Sequence, residues 1–212
     1  MAGTFVTAAE QRLDEGLIMP SQVFEWTWLV LLIAITVVRK LHERAAGGNA
    51  GLRGTPPLEA TLMIAWGFAA AVLPLVYMFS RWLRVADYPF EIAPALRILG
   101  VATFIAAIWL LHRSHADLGR SWSTDVRPNE EHRLVVDGVY SRVRHPMYAA
   151  HILWGVAQAL LFPNLLAGPV ALILMIAVLS IRIPREERFL LKEFPDDYRR
   201  YMNSTGRIVP KL

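Results

Sequence analysis

The sequence contains no cysteine, so disulfides, thiolate metal sites and a cysteine nucleophile are all excluded. It has no G-x-G-x-x-G run, and a nucleotide-like cofactor would not lie in a dinucleotide-binding crevice. Internal repeats are absent, and the low-complexity stretch AAGGNAGLRG at 45–54 reads as a flexible loop. A cleavable leader needs a basic start and a short apolar core. Residues 1–21 instead carry Glu10, Asp14 and Glu15 against Arg12, so none is expected. Charge is also scarce. Of 212 residues 19% are charged and 55% hydrophobic, mean hydropathy is +0.37, and the charges are gathered in blocks. That is a membrane-protein pattern.

A spanning helix needs roughly 20 mostly apolar residues, because about 30 Å of hydrocarbon is crossed at about 1.5 Å per residue. The runs 23–38, 58–79, 95–111, 147–162 and 165–181 qualify. The expected fold is therefore all-α, a polytopic membrane protein of about five transmembrane helices followed by cytoplasmic C-terminal helices. Only Pro163 and Asn164 separate the last two runs, which predicts a tight antiparallel hairpin. Eighteen of the 22 Lys and Arg residues fall in 39–57, 113–145 and 182–212. Basic loops stay in the cytoplasm, so the N-terminus is expected outside and the C-terminus inside, in the cytoplasmic membrane if the cell is bacterial. The net charge of +4 is then a topology signal with some affinity for anionic lipid, and no nucleic-acid motif accompanies it.

Polarity concentrates at two of the predicted cytoplasmic mouths. In GVYSRVRHPMYAAHI, 138–152, Arg142, Arg144 and His145 run directly into an apolar segment that keeps His151. Pro146 suits a first helical turn and pushes His145 out of the helical region, toward an N-cap. The free amides there favour an anionic group, and Tyr148 and His151 follow on roughly the same face. A bland alternative has the arginines snorkelling to headgroups and His145 simply capping. His151 is costly inside a span unless it faces a cavity or a partner on a neighbouring helix.

The second mouth is RIPREERFLLKEFPDDYRRYM, 182–202. Pro184 reads as a helix start with Glu186 and Glu187 in its first turn, where carboxylates also stabilise the dipole without any function. Pro195 predicts a break, Asp196 an N-cap, Tyr198, Tyr201 and Met202 a helical stripe, and Gly206 a stop. Between the third and fourth spans, His112, His115 and Asp117 fit no common metal-ligand spacing, so no metal is expected. Gly119, Trp122 and Ser123 read as a loop folded over something flat.

The combination LVVDGVYSRVRHPMY (134–148), REERFLL (185–191), DDYRRYM (196–202) and a closing IVP (208–210) resembles the isoprenylcysteine carboxyl methyltransferase and phospholipid methyltransferase superfamily. The LGRSWS stretch also looks like that family's preceding loop. The resemblance covers roughly 112–212, and it implies a three-span membrane region at 1–111 followed by a catalytic region at 112–212. It further implies a methyltransferase that uses S-adenosyl-L-methionine from the cytoplasmic side and takes a lipidic or small apolar acceptor laterally from the bilayer. On the matching positions it implies catalytic roles for His145, Arg144 and Glu187. Cofactor contacts would come from Arg144, His145, Tyr148, Glu186, Glu187, Tyr140 and Tyr198, and substrate contacts from His151 and Trp122. The chain departs at Pro195 and Asp196, where similar enzymes often have glycine. Two other readings stand beside it: an NADPH-dependent membrane reductase of the sterol type, and a non-catalytic lipid-binding scaffold.

Overall fold

The structure is a computed structural model, and it describes residues 21–45, 55–119 and 134–211. Trp122 and most of the 45–54 and LGRSWS loops lie outside the described residues. The helices are α1 (Ser21–Ala45), α2 (Pro57–Gly67), α3 (Leu73–Phe79), α4 (Pro94–Leu118), α5 (Pro146–Leu161), α6 (Val170–Glu193) and α7 (Pro195–Ser204). Among the described residues there is no β-sheet, only isolated bridges between Asp87 and Asn164 and between Val143 and Gly206.

Among the described residues, three helical stretches are long and apolar enough to cross a membrane: Gln22–Arg44, Pro57–Phe79 and Pro94–Leu118. The second joins α2 to α3 through a π-helical segment, Phe68–Val72. Such a segment disturbs the regular backbone pairing, which apolar surroundings punish. Gln158 of α5, fully buried, answers this by donating its amide to the Ala69 carbonyl at 3.0 Å and to the Ala167 carbonyl at 2.7 Å.

Trp28, Tyr77, Phe104, Leu111, Leu161 and Phe162 form the centre of the bundle. Phe162 meets both Trp28 and Tyr77 edge-on, at 5.1 and 5.6 Å between ring centroids. The opposite faces are apolar too: Val30, Ile33, Ile64, Ile105, Trp109 and Ile173 are all exposed. So broad an apolar exterior suits lipid, and the chain is an integral membrane protein. Small residues bring helices close. A Cβ added at Gly100 would lie 3.0 Å from the Leu160 side chain, and one at Gly155 would lie 2.8 Å from the Leu172 backbone.

Three sequence expectations are revised. The turn between α5 and α6 occupies 162–169, because Asn164, fully buried, accepts the amides of Leu166 and Ala167 and donates to the Leu83 carbonyl and to Asp87. Pro184 does not start a helix; it lies inside α6. Its ring is exposed, while Val178, Leu179, Ile183 and Glu187 remain buried along the same helix, so packing holds the helix straight through the missing amide. Phe194, rather than Asp196, is the N-cap of α7, with Pro195 in the first turn.

Candidate active site

The α5 mouth is shaped by short-range chemistry before any long-range contact is made. Gly138 takes a positive φ of 60°, and a Cβ there would lie 2.2 Å from the Asp117 carboxylate. Only glycine serves, and its absent side chain lets Asp117 accept the Val139 amide at 2.9 Å. The turn leads into a short 3₁₀ segment, Gly138–Ser141, that buries Tyr140. His145 is the N-cap of α5 with non-helical backbone, and Pro146 occupies the first turn, as the sequence predicts.

The closing segment then straps across this mouth. The Arg144 amide donates to the Gly206 carbonyl at 2.8 Å and the His145 amide to the Arg207 carbonyl at 3.0 Å. The Arg144 side chain continues the strap through Nη1, which donates to the carbonyls of Met202 (3.2 Å) and Thr205.

Glu187 is the hub of the site. Its Oε1 accepts from Arg144 Nη2 at 3.1 Å, from Arg207 Nε at 3.1 Å and from His145 Nε2 at 3.3 Å, and its Oε2 from Arg207 Nη2 at 2.5 Å. Glu187 and His145 are both buried. Burial alone would raise the carboxyl's pKa, but the hydrogen bonds from His145, Arg207 and Arg144 outweigh it and hold the group at about 2.

The neighbouring carboxylate belongs to a second chain of contacts. Tyr148 donates its hydroxyl to Glu186 Oε2 at 2.6 Å and accepts from Arg182 Nε at 2.8 Å. Its ring stacks on His145 at 5.4 Å, and His145 Nδ1 lies 4.0 Å from Glu186 Oε2. The two glutamates thus diverge, as adjacent helical residues must, yet both stay beside one histidine.

Tyr198 packs edge-on against Tyr201 at 5.9 Å, and its hydroxyl is buried without a hydrogen-bond partner among the described residues. Burial raises its pKa, and the charge of Glu187 raises it further. Tyr201 donates to the Tyr140 carbonyl at 2.5 Å, while Tyr140 faces the Ser114 carbonyl of α4 at 3.4 Å, so both tyrosines brace the site from behind.

His151 lies deeper. Its Nδ1 donates to the Met147 carbonyl at 2.7 Å, which leaves Nε2 as the nitrogen with the lone pair. Its ring meets Trp66 at 5.2 Å and Trp154 at 6.3 Å, and the Trp154 indole N–H is buried without a hydrogen-bond partner among the described residues. His112 and His115 lie on α4 near His42, and among the described residues no cluster suited to a metal ion is found.

Arg144, His145, Tyr148, Glu186, Glu187 and Tyr198 therefore come together as the motifs suggested. Sequence reasoning missed Arg207, Arg182 and Glu59. Arg182 and Arg207 look like topology charges in a basic tail. Glu59 did leave a signal, as the sole carboxylate of a long apolar run.

A helical membrane bundle with a charged, half-enclosed site where two helices leave it defines an integral membrane protein built to handle a polar ligand at the bilayer edge. Sequence and structure comparisons narrow that class. A sequence model of the isoprenylcysteine carboxyl methyltransferase family matches residues 99–192. Protein-S-isoprenylcysteine O-methyltransferase B of Arabidopsis thaliana is 31% identical over 144 residues, covering 63% of this chain and 73% of that protein. The Schizosaccharomyces pombe protein-S-isoprenylcysteine O-methyltransferase is 32% identical over 96 residues, covering 44% of this chain. The match spans 41% of that relative's length. A solved eukaryotic intramembrane Ras methyltransferase, isoprenylcysteine carboxyl methyltransferase, has the same fold, with a TM-score of 0.54 at 19% identity over 92% of this chain and 69% of that one. The chain belongs to the isoprenylcysteine carboxyl methyltransferase family.

Proposed function

We propose that this protein transfers a methyl group from S-adenosyl-L-methionine to a lipidic or small apolar acceptor at the cytoplasmic membrane face. The observation that carries the reading is the convergence of Arg144 and His145, at the α5 mouth, with Glu186 and Glu187, from α6, beside the unpartnered hydroxyl of Tyr198. A passive anchor has no use for such a cluster.

The residues fit the cofactor. Arg144 and the α5 mouth suit the methionine carboxylate, Glu186 suits the ammonium or the ribose hydroxyls, and the Tyr198 hydroxyl supplies the remaining polar contact. Glu187 is turned inward onto Arg144, Arg207 and His145 and serves to position them. When bound, the cofactor supplies a methyl already activated by the sulfonium. What is left to the protein is alignment and exclusion of water.

The acceptor enters beside His151, Trp66 and Trp154, with Trp122 contributing to its binding. A carboxylate acceptor needs no base. An acceptor bearing a proton would yield it to His151 Nε2. A prenylcysteine acid is the acceptor that the names of the relatives suggest. In this reading the short α5 and the apolar first half of α6 complete five spans, the N-terminus lies outside, and the site faces the cytoplasm.

The test is calorimetric titration of the detergent-purified chain with S-adenosylhomocysteine and, separately, NADPH, followed by methyl-transfer assays on an S-prenylcysteine. We expect homocysteine-analogue binding in the range of about 1–10 µM, roughly 7–8 kcal/mol. NADPH binding alone would move the assignment to a reductase, and silence toward both ligands would favour the scaffold.

A further inference from the structure

Glu59 stands in the first turn of α2, outside the 99–192 stretch that the family sequence model matches, and its side chain is fully buried. A carboxylate in a first turn suits the helix dipole, but that role is satisfied in solvent and requires no burial. Here both oxygens are spoken for. Oε1 accepts from Arg182 Nη1 at 2.8 Å, and Oε2 from Arg185 Nη1 at 2.5 Å. Arg182 in turn holds the Tyr148 hydroxyl through Nε at 2.8 Å, and Tyr148 commits its proton to Glu186 at 2.6 Å. The direction of each bond follows from the chemistry. Arginine only donates and a carboxylate only accepts, so the tyrosine must pass its proton to Glu186.

The geometry points to Glu59 as a positioning residue for the cofactor pocket: it anchors Arg182 and Arg185 to α2, and so keeps Arg182 from drawing in the Glu186 carboxylate, which stays open to a ligand. The charges acting on Arg182 include those of Glu186 and Glu59. With Glu59 neutralised, the remaining carboxylate of those two is Glu186, already joined to Arg182 through the Tyr148 hydroxyl, and a buried arginine that loses one carboxylate draws in the next within reach. Glu186 would then close onto Arg182. The first membrane region thereby contributes a residue to a site whose visible motifs all lie in the second half of the chain.

This inference rests on the reading that the pocket binds S-adenosyl-L-methionine, and the experiment separates the two. S-adenosylhomocysteine is titrated into the full chain in detergent as wild type, Glu59→Gln and Glu59→Gln/Arg182→Gln, with thermal unfolding of each. If wild type does not bind, the functional reading itself fails. If it binds, we expect Glu59→Gln to weaken the affinity by about tenfold or more and the double variant to recover to within about threefold of wild type, since without Arg182 nothing draws Glu186 away from the ligand, and Arg185, the other partner of Glu59, is partly exposed and can turn to solvent. Wild-type affinity in Glu59→Gln overturns the proposal, as does equal loss in both variants, which would mean that Glu59 serves the fold alone. Should Glu59→Gln not purify as folded protein, the double variant decides: wild-type-like binding sustains the proposal, and loss of binding or of folding ends it.

Discussion

Glu187→Gln is expected to abolish S-adenosylhomocysteine binding, a loss of at least about a hundredfold, although glutamine has nearly the same shape. The carboxylate neutralises Arg144 and Arg207 and accepts from His145. Removing one member of a buried charge pair costs about 3–5 kcal/mol, because the partner stays behind unpaired. Arg144 would then turn to its other acceptors, the Met202 and Thr205 carbonyls, and His145 would lose the contact that fixes its ring. The variant should also unfold at lower temperature, and calorimetric titration with thermal unfolding reads both effects.

The acid side of the stability profile carries the same signature. Against an ordinary value of 4.5, the Glu187 carboxyl is held at about 2 in the folded protein. Its stabilisation is therefore complete above the ordinary value and is lost as pH falls from there toward about 2. Glu187→Gln should flatten that part of the curve, and an unchanged acid limb would refute the hub role.

The helices were legible in the sequence because long apolar runs are a local property. The first three runs became the three stretches, among the described residues, able to span a membrane. Pro184 misled for a related reason: local propensity marks a proline as a helix start, whereas the packing of Ile183 and Glu187 on the buried face carries α6 through it. The site was legible as far as its residues cluster in motifs. His145 and Pro146 could be placed at an N-cap and first turn from backbone chemistry alone. Arg207 and Glu59 could not be placed, because their roles come from pairings across 20 and more than 120 positions of chain. Nothing in the local pattern GRIVP distinguishes a site arginine from a tail charge.

Those distant pairings make the strap the second point at which a small change should have a large effect. Gly206 has no room for a side chain: a Cβ would lie 1.9 Å from the Val209 carbonyl and 2.8 Å from the Lys211 amide nitrogen. Both are backbone atoms, so no rotamer change relieves the overlap. Gly206→Val must therefore push the closing segment off the α5 mouth. That movement would take with it the carbonyls of Gly206 and Arg207, which hold the Arg144 and His145 amides, and the Arg207 side chain on Glu187. We expect S-adenosylhomocysteine affinity to fall by about a hundredfold, or roughly 2.7 kcal/mol. The main apolar core lies in the helices α1 and α3 to α5 and keeps the bundle folded, while the unfolding temperature should fall because Ile208 leaves the α6 cluster of Met175, Val178, Leu179 and Ile183. Arg207→Ala is the informative companion. Its side chain is half exposed and Glu187 keeps Arg144 and His145 as donors without it, so a loss of only about tenfold is expected. If Gly206→Val binds as wild type does, the closing segment is packing around a site that is complete without it. If it loses binding while the bundle stays folded, the C-terminal segment is a wall of the pocket, and the site is closed by residues that the family match at 99–192 does not reach.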